Sequence, residues 1–478
     1  MMKEIVLTTI NAKWIHPSLA LRLLKANLGS LEDSCEIIEF ALRQPLSEKT
    51  EQLLAASPKI LGISVSIWNH LATIELLEEL GKLWTVNSKP VIVLGGPEIS
   101  YLPHDAKIFK YADYIIRGEG ETAFGLLCEE IIFTDYKKTM KGAGCPQEII
   151  ADQLDNVSKI KYAYYLYTNE DLEKKLIYVE SSRGCVFNCE FCLSAVKKGT
   201  AKKVREFPLE PFLAQMDKLV KRGAKTFKFL DRSINTNIPR LIQICEFFLE
   251  KIEQHYSILV HFEMVPSILP PQLCEILSRF PSGTLRLEIG IQTLNPEISA
   301  QIGRPANSEK ELEVLRFLRQ KTNAIVHVDL IAGLPGEDIE SFGRGFDRLW
   351  LALGETNGHH IEIQLGILKL LPGAPICRHS ETFKMQYNPI PPYEVMQTSV
   401  MSANDVLRIK NFARFWEIIV NRGLADFTGN EKIFNNFLVL SDSLLLYFGK
   451  NWGIDKNELL EFLKCKNFGN NENKYGQY

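Results

Sequence analysis

Short apolar runs alternate with amphipathic stretches from the start of the chain. Glu4–Thr9, Cys35–Phe40, Ile60–Ser66, Pro90–Leu94 and Asp113–Arg117 are apolar runs of strand length. Between them, Pro17–Leu28 and Leu71–Trp84 carry apolar residues at helical spacing. The first of these has Pro17 in its first turn and Gly29 just past its end. A further helix is expected after Gly118-Glu119-Gly120-Glu121. Such alternation predicts an α/β region with a doubly wound parallel sheet of Rossmann type. Residues 133–175 are polar and lack a clear period. They contain the break Gly142-Ala143-Gly144-Cys145-Pro146 and read as a linker with some local structure.

A second alternation begins at Leu176. Its strands are Leu176–Glu180, Lys225–Leu230, Ile258–Glu263, Thr284–Gly290, Ala324–Ile331 and His360–Leu368. Leu209–Arg222, Pro239–Gln254, Ser308–Gln320 and Ile339–Leu353 are the helical stretches between them. Six such units predict an open or partial (β/α)6 barrel, with its chemistry at the carboxyl ends of the strands. Pro389-Ile390-Pro391-Pro392 marks another boundary. The pattern beyond it is mainly helical to about Lys464, and the tail Lys466–Tyr478 is polar. The expected domains are 1–132, a linker 133–175, a barrel 176–375 and a mainly helical C-terminal domain 376–478. No internal repeat is visible beyond the strand–helix units.

Composition narrows the function classes. The chain has 478 residues, 46% of them hydrophobic and 24% charged, with a formal net charge of −3. This is ordinary for a soluble globular protein and too little positive charge for a general nucleic-acid binder. Lys197–Lys198 and Lys202–Lys203 read as solvated faces. No apolar run reaches the length of a membrane span, and the N-terminus lacks the features of a signal peptide, so a cytoplasmic protein without membrane partners is expected.

Ten cysteines are present. Cys35, Cys128, Cys145, Cys245, Cys274, Cys377 and Cys465 stand singly; most sit among apolar residues and read as small buried hydrophobes, and disulfides are not expected. The other three form a C-x3-C-x2-C motif in Gly184-Cys185-Val186-Phe187-Asn188-Cys189-Glu190-Phe191-Cys192, directly after the first barrel strand. Three thiolates can hold three irons of a [4Fe–4S] cube and leave the fourth open to chelate S-adenosylmethionine. Structural zinc would want four closed ligands, usually in two pairs, and no second pair follows.

Spacing, position after the first barrel strand and the aromatic Phe191 resemble the radical S-adenosylmethionine (SAM) superfamily. The resemblance makes Cys185, Cys189 and Cys192 the cluster ligands and places Phe191 near the adenine. Thr284–Asn295 is similar to the family's fourth-strand segment, which would bring Glu288 and Gln292 to the ribose or methionine. Asp329–Glu337 is similar to its fifth-strand glycine segment, which would set Gly333 and Gly336 against adenine. Leu230-Asp231-Arg232-Ser233-Ile234-Asn235 departs from the family's Gly-Gly-Glu-Pro-like stretch. Asp231, Arg232 or Asn235 would then replace its contact to the SAM amino group.

A doubly wound sheet ahead of such a barrel resembles the superfamily's cobalamin-binding subgroup, in a branch with an added C-terminal helical domain. Ser64-Val65-Ser66, Gly95-Gly96-Pro97-Glu98 and Arg117-Gly118-Glu119-Gly120-Glu121 fall at strand carboxyl ends, where open α/β sheets bind ligands. The resemblance assigns Asn11, Ser64, Ser66, Gly95, Gly96, Gly118 and Glu119 to cobalamin. The Asp-x-His-x-x-Gly signature is absent. His16, beside Pro17, reads as a turn residue near a helix start, so cobalt is expected to lack a histidine from this chain.

These implications describe an enzyme that cleaves SAM reductively and, with cobalamin, modifies an unreactive carbon, methyl transfer being the leading reaction. An external one-electron reductant such as flavodoxin or ferredoxin is implied, and the substrate is unread. One rival is a radical enzyme for cyclisation or rearrangement without cobalamin chemistry. The other is a non-catalytic iron–sulfur electron carrier or redox sensor.

Overall fold

The computed structural model describes residues 3–85, 88–134, 146–151, 156–195, 204–353, 361–425, 427 and 432–465. The break Gly142–Cys145, the pairs Lys197–Lys198 and Lys202–Lys203, and the tail Lys466–Tyr478 lie outside them. The chain divides into two compact units, Met1–Gly184 with Lys197–Leu230, and Cys185–Val196 with Asp231–Tyr478.

The first unit opens with β1 (Ile5–Asn11), α1 (Leu19–Ala26), β2 (Cys35–Ala41), α2 (Leu46–Ala56), β3 (Ile60–Ser64) and α3 (His70–Leu83). It continues with β4 (Val91–Gly95), β5 (Tyr114–Arg117), α4 (Gly120–Phe133) and β6 (Gln147–Ile150). All pair in parallel in the order β2-β1-β3-β4-β5-β6. β1 is buried along six consecutive residues because strands flank it on both sides. The direction of winding reverses between β1 and β3, which is the position where such sheets bind ligands.

Three local readings change. Pro17 is not in the first turn of α1. Ser18 is the N-cap, accepting from the Leu21 amide, and Pro17 precedes it. Gly29 lies beyond the Asn27 C-cap and opens a 3-10 turn, Gly29–Ser34, with φ 58°. The stretch expected as a linker contributes β6, which extends the sheet beside β5. β6 is a short edge strand with Ile150 mostly exposed, so it gives no periodic signal.

The remainder of this unit is α5 (Asn169–Lys174), β7 (Ile177–Val179), β8 (Ser182–Arg183), β9 (Arg205–Glu206), α6 (Leu209–Lys221) and β10 (Thr226–Phe229). β7 and β10 are parallel, and β8 and β9 form a short antiparallel ladder. In the second unit come α7 (Ile238–Glu253), β11 (Leu259–Met264), α8 (Pro271–Ser278), β12 (Leu285–Gln292), α9 (Pro296–Gln301) and α10 (Ser308–Lys321). They are followed by β13 (Ile325–Ala332), α11 (Ile339–Leu353) and β14 (Ile361–Ile367). β11 to β14 pair in parallel in sequence order. The six expected barrel strands are thus present, each within a residue or two of its predicted bounds. The helices α2, α5, α8 and α9 escaped the sequence reading; the last two start on a proline at the first helical positions.

Burial alternates along β12. Leu285, Leu287, Ile289 and Ile291 are buried, while Arg286, Glu288, Gly290 and Gln292 lie on the half-buried face. β13 repeats the pattern with His327 and Asp329. One face of this sheet is therefore core and the other is a polar floor. The C-terminal part is not wholly helical. β15 (Gln386–Tyr387) and β16 (Val395–Gln397) form an antiparallel pair ahead of α12 (Ala403–Trp416), α13 (Ile433–Phe448) and α14 (Lys456–Cys465). Trp416 and Phe412 of α12 pack edge-on against Phe346 of α11, which anchors this part on the barrel helices. The Asn421 amide both donates to and accepts from the Ile363 backbone, each at 3.1 Å, covering the outer edge of β14.

Candidate cofactor sites

The cysteine loop is held from two sides. The Glu190 amide donates to the Ile302 carbonyl and its carbonyl accepts from the Ile376 amide, both at 3.0 Å. The buried Glu190 carboxylate takes Arg378 on one oxygen and His379 at 2.9 Å on the other. Gly303, at φ 69°, packs so tightly that a Cβ would lie 2.7 Å from the Asn188 carbonyl. Within the loop, Cys192 N–H donates to the Cys189 carbonyl at 3.0 Å. Ser233 Oγ stands 3.7 Å from Cys185 Sγ.

The three thiols are half-buried. Burial pushes the Cys189 thiol up to about 11; Arg304 opposes this, and Cys192 and Cys185 add to it by mutual repulsion. Crowded thiols that repel one another as anions suit bound cationic iron. Among the described residues no His, Cys, Asp or Glu group converges as on a single metal ion. Three half-buried thiols on one short loop, with Arg304 beside Cys189, are the donors that a cube would take at three of its corners.

The strand-end residues are less uniform. Phe191 is half-buried on the loop itself. Asp231 is buried directly after the β10 segment. Asn235 is consumed by the protein: its amide donates to the Val265 and Ile268 carbonyls and accepts from the Val265 amide. Glu288 lies 3.0 Å from His261 Nε2. Gln292 sits in a bulge between β12 and β13 at φ 70°, in the left-handed region that a non-glycine residue rarely occupies. Gly333 and Gly336 have φ near 80°. A Cβ on Gly333 would meet Val395 at 2.4 Å, and one on Gly336 would meet Phe383 at 3.0 Å. Both positive φ and close packing by the C-terminal segment require glycine at these two positions.

Four further features escaped the sequence reading. Arg304 faces Cys189 and bonds the Gly290 carbonyl. Arg378 and His379 hold the loop from far along the chain. Ser233 stands beside Cys185. The buried Glu337 carboxyl accepts from Thr293 at 2.7 Å, and burial raises it to about 7. Only spatial proximity marks these residues; no spacing in the sequence joins them to the motif.

At the carboxyl edge of the first sheet, Asn11 donates to Glu39 at 3.0 Å, and Ser66 N–H donates to the buried Asn69 side chain at 2.8 Å. Gly96, at φ 104°, packs against Val65: a Cβ would lie 2.6 Å from its carbonyl and 3.1 Å from Ser64 Oγ. Gly95 accepts from the Val65 amide. Gly118, at φ 102°, packs against the Ala151 carbonyl. Both Glu119 oxygens accept from Arg205, at 2.9 and 2.6 Å. Trp14 and Trp68, on the loops leaving β1 and β3, are about half-exposed (48% and 52%). Large apolar rings open to solvent beside the switch point fit a flat macrocycle. His16 bonds Tyr178 at 2.8 Å, and burial together with Lys13 and Lys228 lowers its pKa.

A B12 binding domain model matches residues 5–127, and a Radical SAM superfamily model matches residues 179–349. The chain is 26% identical over 174 residues to the ribosomal protein uS12 methylthiotransferase RimO of Nitratiruptor, covering 34% of this chain and 38% of that protein. It is 29% identical over 174 residues to an uncharacterised methyltransferase of Pyrococcus horikoshii, covering 33% and 37%. The match therefore spans little more than a third of these relatives' length. Among solved structures, the cobalamin-dependent SAM radical enzyme OxsB with aqua-cobalamin and SAM bound superposes with a TM-score of 0.64 at 15% identity, covering 97% of this chain and 75% of that one. The radical SAM methyltransferase TsrM of Kitasatospora setae gives 0.59 at 16%, covering 84% and 80%. No helix of the described residues is long and apolar enough to cross a membrane. The chain carries a B12-binding domain followed by a radical SAM domain, the domains that take cobalamin and a [4Fe–4S] cluster with SAM.

Proposed function

We propose that the chain is a cobalamin-dependent radical SAM enzyme that transfers a methyl group to an unreactive carbon. The observation that carries the reading is the clamped C-x3-C-x2-C loop in a chain that also matches a B12-binding domain. The methyltransferase and methylthiotransferase names of its relatives favour methyl transfer over cyclisation. An external flavodoxin- or ferredoxin-type reductant supplies electrons.

Cys185, Cys189 and Cys192 would hold the cluster, and Phe191, Asp231, Glu288 and Gln292 are the residues offered to SAM. Bound there, cluster and SAM would supply one-electron radical chemistry, and cobalamin would supply a methyl carrier. The chain's own groups prepare the site. Glu190, with Arg378 and His379, holds the loop in one geometry. Arg304 places positive charge beside Cys189, which favours its thiolate. The Gln292 bulge turns its amide out of the regular strand pattern. Asn11, Ser64, Ser66, Gly95, Gly96 and Gly118 form the polar and glycine-rich rim beside Trp14 and Trp68.

Anaerobic reconstitution with iron, sulfide and cobalamin tests this. Visible absorption should show both cofactors retained, and reduction with SAM should yield 5′-deoxyadenosine. Cys189→Ala should lose most iron and all cleavage. A filled cluster that never forms this product, or an unchanged Cys189→Ala protein, would sink the reading. Product without cobalamin retention would favour the cyclisation or rearrangement class.

A further inference from the structure

The cysteine-bearing segment leaves and re-enters the first unit through the β8–β9 ladder. In that ladder Ser182 faces Glu206, and Arg183 faces Arg205. Two guanidinium groups directly opposite each other on adjacent strands repel. Here three carboxylates surround them. Glu119 accepts from Arg205 through both oxygens and lies 3.7 Å from Arg183. Glu121 accepts from Arg183 at 2.6 Å, and Glu180 accepts from the same side chain at 2.6 and 3.1 Å. These side chains are between 7 and 22% exposed, so water screens the repulsion poorly. Glu119 and Glu121 come from the turn into α4, at the carboxyl end of β5. Cys185 follows Arg183 by two residues.

We propose that Glu119 and Glu121 are positioning residues for the cysteine loop: through Arg205 and Arg183 they close the ladder from which that loop emerges, and Glu119 serves this role in place of a cobalamin contact. This rests on the cluster assignment proposed above. Neutralising Glu119 leaves the two arginines facing each other with one fewer anion between them, and removing Arg205 leaves three carboxylates around Arg183 alone and unties Glu119 from β9. The ladder should then splay and the two ends of the cysteine segment separate. Bidentate pairing also explains why arginine occupies position 205, since a guanidinium fork matches both carboxylate oxygens.

The test compares Glu119→Gln, Arg205→Met and Arg205→Lys with wild-type protein after anaerobic reconstitution. Glu119→Gln and Arg205→Met should retain cobalamin by visible absorption. They should bind iron roughly tenfold more weakly, as when partners behind metal ligands are removed. Their reduced clusters should also lose the SAM-induced change in electron-paramagnetic resonance. Arg205→Lys keeps the charge but loses the fork, and should recover part of the iron, more than Arg205→Met. Lost cobalamin with an unchanged cluster would overturn the proposal and make Glu119 a cofactor contact. Unchanged iron, spectrum and cobalamin would overturn it equally. If Glu119→Gln loses both cofactors, the exchange variant Glu119→Arg/Arg205→Glu restores an ion pair and must recover iron; failure to do so also overturns it. A wild-type cluster that ignores SAM would instead count against the proposed function itself.

Discussion

The polar floor of β12 to β14 makes its own demand at the level of single side chains. His327 Nδ1 lies 2.8 Å from Glu362 and Nε2 lies 3.2 Å from Asp329. Burial alone would lower the His327 pKa, but Asp329 and Glu362 outweigh it and raise it to about 9. Burial would raise Glu362, yet His327 and Arg286 bring it down to about 2. The histidine's contribution is therefore complete below its ordinary 6.5 and is lost as pH rises through about 9. The glutamate's contribution is complete above its ordinary 4.5 and is lost as pH falls towards about 2. Denaturant unfolding should show a stability decline on the alkaline side that His327→Gln flattens, with a change of ~3 kcal/mol at most. An equally steep decline in the variant would place its origin elsewhere. None of this was legible in the sequence. Arg286, His327 and Glu362 lie on three strands, and only parallel register brings them together.

Among elements, strands were easier to read than the devices that finish them. Buried parallel strands are continuous apolar runs, and all the expected ones exist. The cysteine motif was equally plain because its residues are neighbours in sequence. What holds that motif was not, since Ile302, Gly303 and Ile376 approach it from distant turns. Gly303 tests this dependence. Gly303→Ala forces a Cβ against the Asn188 carbonyl at a positive φ, at a cost of order 1–3 kcal/mol. Iron per chain after reconstitution should fall, with cobalamin retention unchanged. Full iron occupancy would show that the loop is not governed from α9. Gly333 and Gly336 are packed as closely, since a Cβ there would meet Val395 or Phe383, and no spacing in the sequence announces those neighbours.

For the molecule as a whole, the two alternations in the pattern correspond to two domain matches, yet the compact units divide the chain differently. Lys197–Leu230 belongs with the N-terminal unit, although the sequence pattern groups it with the barrel. Alternation reports the order of elements along the chain, whereas compactness depends on contacts such as Glu119 with Arg205. Loading should still be separable. Gly96→Ala drives a Cβ into the Val65 backbone at the carboxyl ends of β3 and β4 and should abolish cobalamin retention while leaving iron content near wild type. Joint loss of both cofactors, with folding retained by circular dichroism, would mean that one site cannot form without the other.

Val395 above Gly333 has a consequence for protein engineering. The Leu368 carbonyl accepts from the Val395 amide at 2.8 Å, and the Leu370 amide donates to the Tyr393 carbonyl at 2.9 Å. The segment after β14 is thus stitched to the strand that follows Pro391–Pro392, and the Val395 side chain fills the space that Gly333 leaves just past β13. A chimera joined at the proline-rich boundary would import a neighbour shaped for a different hollow. The recipient would have either a void above Gly333 or a clash with it. Exchanges of C-terminal segments among relatives should therefore carry the end of β13 with them, and the natural junction for recombination lies upstream of that strand.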